Sequence, residues 1–327
     1  MTAIDFEGET IRLGENEPLL DGLLRAGFDI ANGCRSGVCQ SCLLQSDSEK
    51  LVNCQQGLTE AQKRLGYFLA CQCQPWEPMA VNRVDGEQLK INAKVVDKRW
   101  LNPSVLGVTL EAALDYQPGQ YVTLLGRPSG SGDFLARCYS IANASDGSGT
   151  LEFHIRHYAD GAFSNWLATE VEPGDCLQVQ GPMGTCIYSA ASEQPLLLLA
   201  AGTGLAPVLG VIKEALSQGH KGEMQLLWAA RSPHDFYLLE ELSLLQAAAQ
   251  LNIKLVYQED FADCNTFAID SVQADIYNYV HQHFPSLQGH KIYICGAESF
   301  TSKLRKQCFL AGAAIQEIAV DTFTPFA

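Results

Sequence analysis

Two periods take turns along this chain. Ala3-Ile4-Asp5-Phe6 and Thr10-Ile11-Arg12-Leu13 alternate apolar and polar residues and predict a strand hairpin. Leu19, Leu20, Leu23 and Leu24 then fall on one helical face, with Gly27 as a stop. From about residue 89 to 188 the pattern is one of short strands, at 92–96, 107–111, 121–125, 151–156 and 176–179. Turn signals such as Gln117-Pro118-Gly119, Asp146-Gly147-Ser148-Gly149 and Glu172-Pro173-Gly174-Asp175 separate them, a spacing that suits a barrel or a sandwich. Beyond 189 the character changes. Apolar runs at 196–200, 224–228, 253–257 and 291–295 alternate with helical patterns at 208–216, 238–251, 275–283 and 300–312. That alternation predicts a doubly wound parallel sheet with helices on both faces.

The fold class is therefore multidomain, α+β and then α/β, with boundaries expected at 1–88, 89–188 and 189–327. A length of 327 residues fits two or three domains. A net charge of −15 disfavours nucleic acid and anionic membrane as partners, since both would repel it. No apolar run reaches the length of a membrane span, and the first residues lack the basic-then-apolar order of a secretory signal. The expectation is a cytoplasmic protein, monomeric, in a reducing compartment. There the twelve cysteines serve metals or chemistry more often than disulfides.

Six of those cysteines lie between positions 34 and 73. Cys34, Cys39 and Cys42 form C-x₄-C-x₂-C, and Cys71 follows, which is the plant-type [2Fe–2S] spacing. Two irons need four thiolates, and three of these converge from one loop rich in Gly and Ser, whose backbone N–H groups can approach the sulfurs. Arg35 adds a positive charge nearby. A zinc site from Cys39, Cys42, Cys71 and Cys73 is the alternative, but it leaves Cys34 without a task. Cys73 would share a strand face with Cys71; it and Cys54 read as packed thiols.

Further on, Arg137-Cys138-Tyr139-Ser140 places a cation and a phenol on one strand face, as an anionic aromatic ligand requires. Gly161-Ala162-Phe163-Ser164 opens a short helix whose N–H groups, with Ser164, suit a pyrophosphate. Gly181-Pro182-Met183-Gly184 closes the segment. The run 196–201 then ends in Gly202-Thr203-Gly204-Leu205-Ala206-Pro207 before a helix, a phosphate cradle in which Pro207 stands where a third glycine is usual. Tyr293-Ile294-Cys295-Gly296 ends another strand, and Asp321-Thr322-Phe323 lies near the C-terminus.

Residues 1–88 resemble a plant-type ferredoxin domain, which implies a β-grasp fold. The later motifs, in this order, resemble the ferredoxin–NADP reductase family of flavoproteins. The whole arrangement is similar to the reductase components of bacterial multicomponent oxygenases. The resemblance implies FAD rather than FMN on an antiparallel β-barrel, held by Arg137, Tyr139, Ser140, Gly161 and Ser164. It implies a nicotinamide dinucleotide at Gly202, Thr203, Gly204, Pro207, Cys295 and Gly296. Ser140, Cys295 and Asp321 would then surround the hydride path, with Phe323 or Phe326 stacked on the flavin. Arg231, Ser232, His234 and Asp235 follow the second strand and point both ways on the 2′-phosphate; NADH is favoured over NADPH because oxygenase reductases usually take it. The implied function is an NAD(P)H-dependent oxidoreductase that passes a hydride to FAD and single electrons through the cluster to a protein acceptor, an oxygenase component. The alternatives are a partner-free diaphorase or flavin or ferric reductase, and a redox-sensing carrier without turnover.

Overall fold

The computed structural model describes residues 2–48, 51–84, 90–128, 135–259 and 268–323, so Phe326 lies outside the described residues. In the N-terminal part, β1 (Thr2–Phe6) and β2 (Glu9–Leu13) make the hairpin that the alternation predicts. Helix α1 (Leu19–Arg25) turns Leu19, Leu20 and Leu23 inward, and Gly27, at φ +91°, lets the chain leave it. Strand β3 (Leu43–Gln45), the short helix α2 (Glu60–Arg64), β4 (Tyr67–Leu69) and β5 (Met79–Arg83) complete a sheet of order β2-β1-β5-β3-β4. Only β1 and β5 run parallel in it. Ile4, Phe6, Leu13, Leu20, Leu23 and Phe68 fill the space between sheet and α1, each burial contributing about 2 kcal/mol. Cys71 and Cys73 do not share a strand face. Residues Ala70–Gln72 form a 3₁₀ turn in which the Cys73 N–H donates to the Ala70 carbonyl, and this turns the two side chains apart.

The middle part consists of β6 (Lys90–Asn102), β7 (Val105–Glu111), β8 (Tyr121–Gly126), β9 (Leu135–Ser140), β10 (Thr150–Arg156), α3 (Ala162–Thr169) and β11 (Cys176–Met183). The sheet order is β10-β7-β6-β11-β8-β9, antiparallel throughout. A bridge between Ile141 and Phe153 joins the two outer strands, so the sheet curls into a barrel rather than a sandwich. Strand β6 runs well beyond the predicted 92–96. Its alternation is interrupted by Asp97-Lys98-Arg99, and the structure absorbs this with register shifts at Val95/Asp97 and Trp100/Asn102.

The C-terminal part alternates β12 (Leu196–Ala201), α4 (Leu205–Ser217), β13 (Met224–Ala230), α5 (Leu239–Ala248), β14 (Leu251–Tyr257), β15 (Ser271–Gln273), α6 (Ile276–His283), β16 (Lys291–Ala297), α7 (Glu298–Leu310) and β17 (Ile318–Phe323). All paired strands are parallel, in the order β15-β14-β13-β12-β16-β17. Along β12, Leu196, Leu198 and Ala200 pack into the core on the α4 and α5 side, while Leu197 and Leu199 join α6 and α7 on the other. Helix α5 stops before Leu251, which pairs with Met224 as the first residue of β14, so the predicted helix overran by one strand start. The chain order reverses between β12 and β16. That switch point is where an open α/β sheet leaves a crevice at the carboxyl ends of its strands.

Candidate redox site

Cys34, Cys39 and Cys42 are buried in the loop between α1 and β3, and Cys71 is half-exposed on the 3₁₀ turn after β4. The thiols meet in two pairs. The Cys39 N–H approaches the Cys34 sulfur at 3.2 Å and the Cys34 N–H approaches the Cys39 sulfur at 3.5 Å. Cys42 donates to Cys71, and that bond brings the Cys71 thiol down to about 7. Two further N–H groups, of Ser36 and Val38, point at the Cys34 sulfur at 3.4 and 3.3 Å. The Ser41 hydroxyl lies 2.9 Å from the Cys39 sulfur. Burial and the neighbouring thiols nonetheless push Cys34, Cys39 and Cys42 up, so it is the pairing that carries the fit: two thiol pairs suit two irons better than one metal ion. Among the described residues no three His, Cys, Asp or Glu side chains are grouped for a single ion. The residues therefore fit a [2Fe–2S] cluster with Cys34, Cys39, Cys42 and Cys71 as its ligands. Cys73 is instead in hydrogen-bond contact with Cys54, which counts against the zinc alternative. Arg35, expected to bring charge to the cluster, has φ +51° and pairs with Asp21 on α1 at 2.6 Å.

On β9, Arg137 and Tyr139 share a face, and the Tyr139 ring lies 5.8 Å from that of Phe163 at the start of α3. The R-x-Y-S strand and the G-x-x-S helix start are thus brought together. Gly161 is the N-cap of α3, whose first-turn N–H groups have no intrahelical acceptor. Ser164 is turned inward: its hydroxyl accepts from the Tyr158 N–H at 3.1 Å and so shapes the turn. A cation, a phenol and a helix start on one side of a barrel fit a flavin with its phosphates.

At the neighbouring crevice Gly202-Thr203-Gly204 makes a tight turn into α4, and the Gly202 carbonyl accepts from the Trp228 indole at 3.0 Å. Pro207 sits in the first turn of α4, where its missing N–H costs nothing. Gly296 has φ +151°, and Cys295 beside it is fully buried, 3.7 Å sulfur to sulfur from Cys186. Strand β17 sets Asp321 opposite Cys295 and Phe323 opposite Ala297. The Ser140 hydroxyl donates to the Asp321 carboxylate at 2.6 Å, joining β9 of the barrel to β17 of the parallel sheet. Burial pushes the Asp321 carboxyl up to about 6, against the lowering effect of the Ser140 bond. Asp235, the acid offered for a ribose hydroxyl, is engaged elsewhere: it accepts the Ser232 N–H at 3.1 Å and lies 3.7 Å from Arg156. Arg231 pairs with Glu259 at 2.6 Å.

Sequence reasoning gave no part to Cys186, Tyr121, Thr123 or Gln180. The three barrel residues donate to carbonyls of the cluster loop: Tyr121 to Val38 at 3.2 Å, Thr123 to Cys39 at 2.8 Å, and Gln180 to Gln40 at 3.2 Å. The one available signal was strand alternation, which turns Cys138 away from Arg137 and Tyr139 toward something else.

A flavin barrel followed by a dinucleotide sheet and preceded by a thiolate loop defines a class of modular electron-transfer flavoproteins. Family models agree over each part: a 2Fe-2S iron-sulfur cluster binding domain at residues 3–75, an oxidoreductase FAD-binding domain at 97–188 and an oxidoreductase NAD-binding domain at 198–306. The chain is 31% identical over 254 residues to the alkene monooxygenase system ferredoxin–NAD(+) reductase component of Xanthobacter autotrophicus, covering 74% of this chain and 76% of that one. It is 29% identical to the naphthalene 1,2-dioxygenase system ferredoxin–NAD(P)(+) reductase component of Pseudomonas putida, over 94% and 93% of the two chains. Among solved structures, the Amycolatopsis cytochrome P450 reductase GcoB superposes with a TM-score of 0.68 at 25% identity, covering 99% of both chains.

The chain belongs to the ferredoxin–NADP reductase family of flavoproteins, in the branch with an N-terminal [2Fe–2S] ferredoxin domain. It is an NAD(P)H-dependent flavin and iron–sulfur oxidoreductase that acts in electron transfer.

Proposed function

We propose that this reductase takes two electrons from NADH at the crevice of the parallel sheet and delivers them singly, from the Cys71 edge of its cluster loop, to a protein acceptor such as an oxygenase component. The observation that carries this reading is the placement of the cluster loop. Its Cys39 carbonyl is held by Thr123 on the barrel, while Cys71 is the ligand nearest solvent. FAD, when bound, supplies the exchange between hydride and one-electron chemistry, and the cluster carries electrons one at a time.

The protein's own part is to bind, orient and move a proton. Arg137, Tyr139 and the start of α3 hold flavin and phosphates; Gly202, Thr203, Gly204 and Pro207 cradle the dinucleotide, with Cys295 and Gly296 beside the nicotinamide. Keeping the two rings in register is the main contribution to rate. The Ser140 hydroxyl, already directed at Asp321, gives a proton a route between the cleft and that half-buried acid. Phe323 or Phe326 covers the flavin side. The domain limits 1–88, 89–188 and 189–327, a monomeric state and a cytoplasmic location belong to the same reading. Among the described residues no helix is long and apolar enough to cross a membrane.

The test is Cys42→Ser. It should abolish cytochrome c reduction, which needs the cluster, and spare ferricyanide reduction at the flavin. Cytochrome c activity at the level of the unmodified enzyme would refute the wired order and favour a partner-free diaphorase.

A further inference from the structure

The strand that carries the flavin motif has two faces, and the second is not empty. Along β9, Arg137 and Tyr139 point one way and Cys138, between them, points the other. In the antiparallel pair of β8 and β9, Thr123 stands directly opposite Cys138. Its hydroxyl lies 3.5 Å from the Cys138 sulfur and donates to the Cys39 carbonyl at 2.8 Å. Cys138 is itself in hydrogen-bond contact with the Cys39 sulfur. Thr123 has no exposed surface at all. A hydroxyl so placed would lose its water without return if the partner carbonyl moved away, so the contact holds the loop rather than decorating it.

The surroundings are built for close approach. Asn32 and Leu135 form a parallel bridge between loop and barrel, and a methyl on Gly33 would lie 2.5 Å from the Ala136 carbonyl. One strand thickness therefore separates the face bearing Arg137 and Tyr139 from the ligand Cys39.

We infer that Thr123 is the positioning residue for electron transfer from flavin to cluster: its hydroxyl clamps the Cys39 peptide against Cys138, on the back of the flavin-binding strand. The seam passes an electron alone. The flavin is oxidised by one electron, the cluster is reduced by one, and no bond or proton crosses. The inference rests on reading β9 as the flavin strand.

The test compares Thr123→Val, which keeps the shape and removes the hydroxyl, with Thr123→Ser, which restores it. Holoenzyme is mixed anaerobically with NADH, and flavin and cluster absorbance are followed separately. In Thr123→Val the cluster phase is expected to slow about tenfold, the scale of one lost buried hydrogen bond, with the flavin phase retained. Thr123→Ser should return to within about twofold of the starting rate. Independently of turnover, amide hydrogen exchange over residues 36–41 of the oxidised protein should quicken about tenfold in Thr123→Val and not in Thr123→Ser. A cluster phase and exchange rates unchanged in Thr123→Val, or equal slowing in both variants, overturn the inference. Loss of the cluster from Thr123→Val with retention in Thr123→Ser supports the clamp, and loss from both counts against it. Arg137→Ala separates the two readings: flavin that stays fully bound there refutes the flavin strand itself, whatever Thr123 does.

Discussion

Asp321 is a half-buried carboxylate that accepts from the buried Ser140 hydroxyl, and its titration follows from that setting. Burial raises its pKa to about 6 from an unfolded value near 3.8, so the folded chain prefers the protonated acid. The sign of the linkage is then fixed. The group stabilises the fold at low pH relative to high, and that advantage is lost as pH rises from about 4 through about 6. In flavin-free protein, Asp321→Asn should therefore be more stable than the unmodified chain at pH ~7.5, by up to about 3 kcal/mol, and the gain should shrink below pH ~6. Urea unfolding at the two pH values checks this; a gain independent of pH would contradict it. The residues of this site were legible as motifs, because Arg-x-Tyr-Ser, Gly-Thr-Gly and Cys-Gly are local. Their meeting was not. Ser140 and Asp321 are 181 positions apart, and only the folded chain brings a barrel strand against the edge of the parallel sheet.

Elements carry a different kind of information. The glycine turn before α4 holds two glycines for different reasons. Gly202 has φ +55° with open space around it, so conformation selects it. Gly204 has an ordinary φ of −59°, but a methyl there would lie 2.1 Å from the Cys295 carbonyl, so space selects it. Backbone cannot yield as a flexible side chain does. Gly204→Ala should force β12 and β16 apart at the crevice, costing about 1–3 kcal/mol of stability and raising the KM for NADH at least about tenfold. Thermal unfolding and steady-state kinetics measure the two effects; a normal KM would show that the turn does not meet the dinucleotide. Periodicity found the hairpin, five of the six barrel strands (β9 entered only through its Arg-x-Tyr-Ser motif) and the four buried strands of the parallel sheet. It failed where two patterns ran together. Ala247-Ala248-Ala249 continues a helical composition into Leu251, with no glycine or proline between, so only pairing with β13 reveals where β14 begins. Strand β17 was seen as a tripeptide motif and not as an element, because Ile318-Ala319-Val320 is too short and too weakly patterned to announce a strand.

At the scale of the molecule the surface is strongly acidic, with a net charge of −15. Charges of this kind steer a basic partner and are screened over about 8 Å at physiological salt. Reduction of cytochrome c, a basic protein, should fall several-fold between about 0.05 and about 0.5 M salt, while ferricyanide, a small anion, should not slow at all. Parallel salt responses for the two acceptors would place both at one site. What the sequence could not disclose at this scale is how the N-terminal unit sits on the barrel. Docking uses backbone carbonyls of Val38, Cys39 and Gln40, and carbonyls leave no mark in the sequence.

That seating has a bearing on how the protein is made. Cys34, Cys39 and Cys42 are buried in the folded chain and Cys71 is half-buried, so iron and sulfide reach the loop most readily from the Cys71 side. Loading should therefore be faster into a chain whose N-terminal unit has not yet closed on the barrel than into the folded protein.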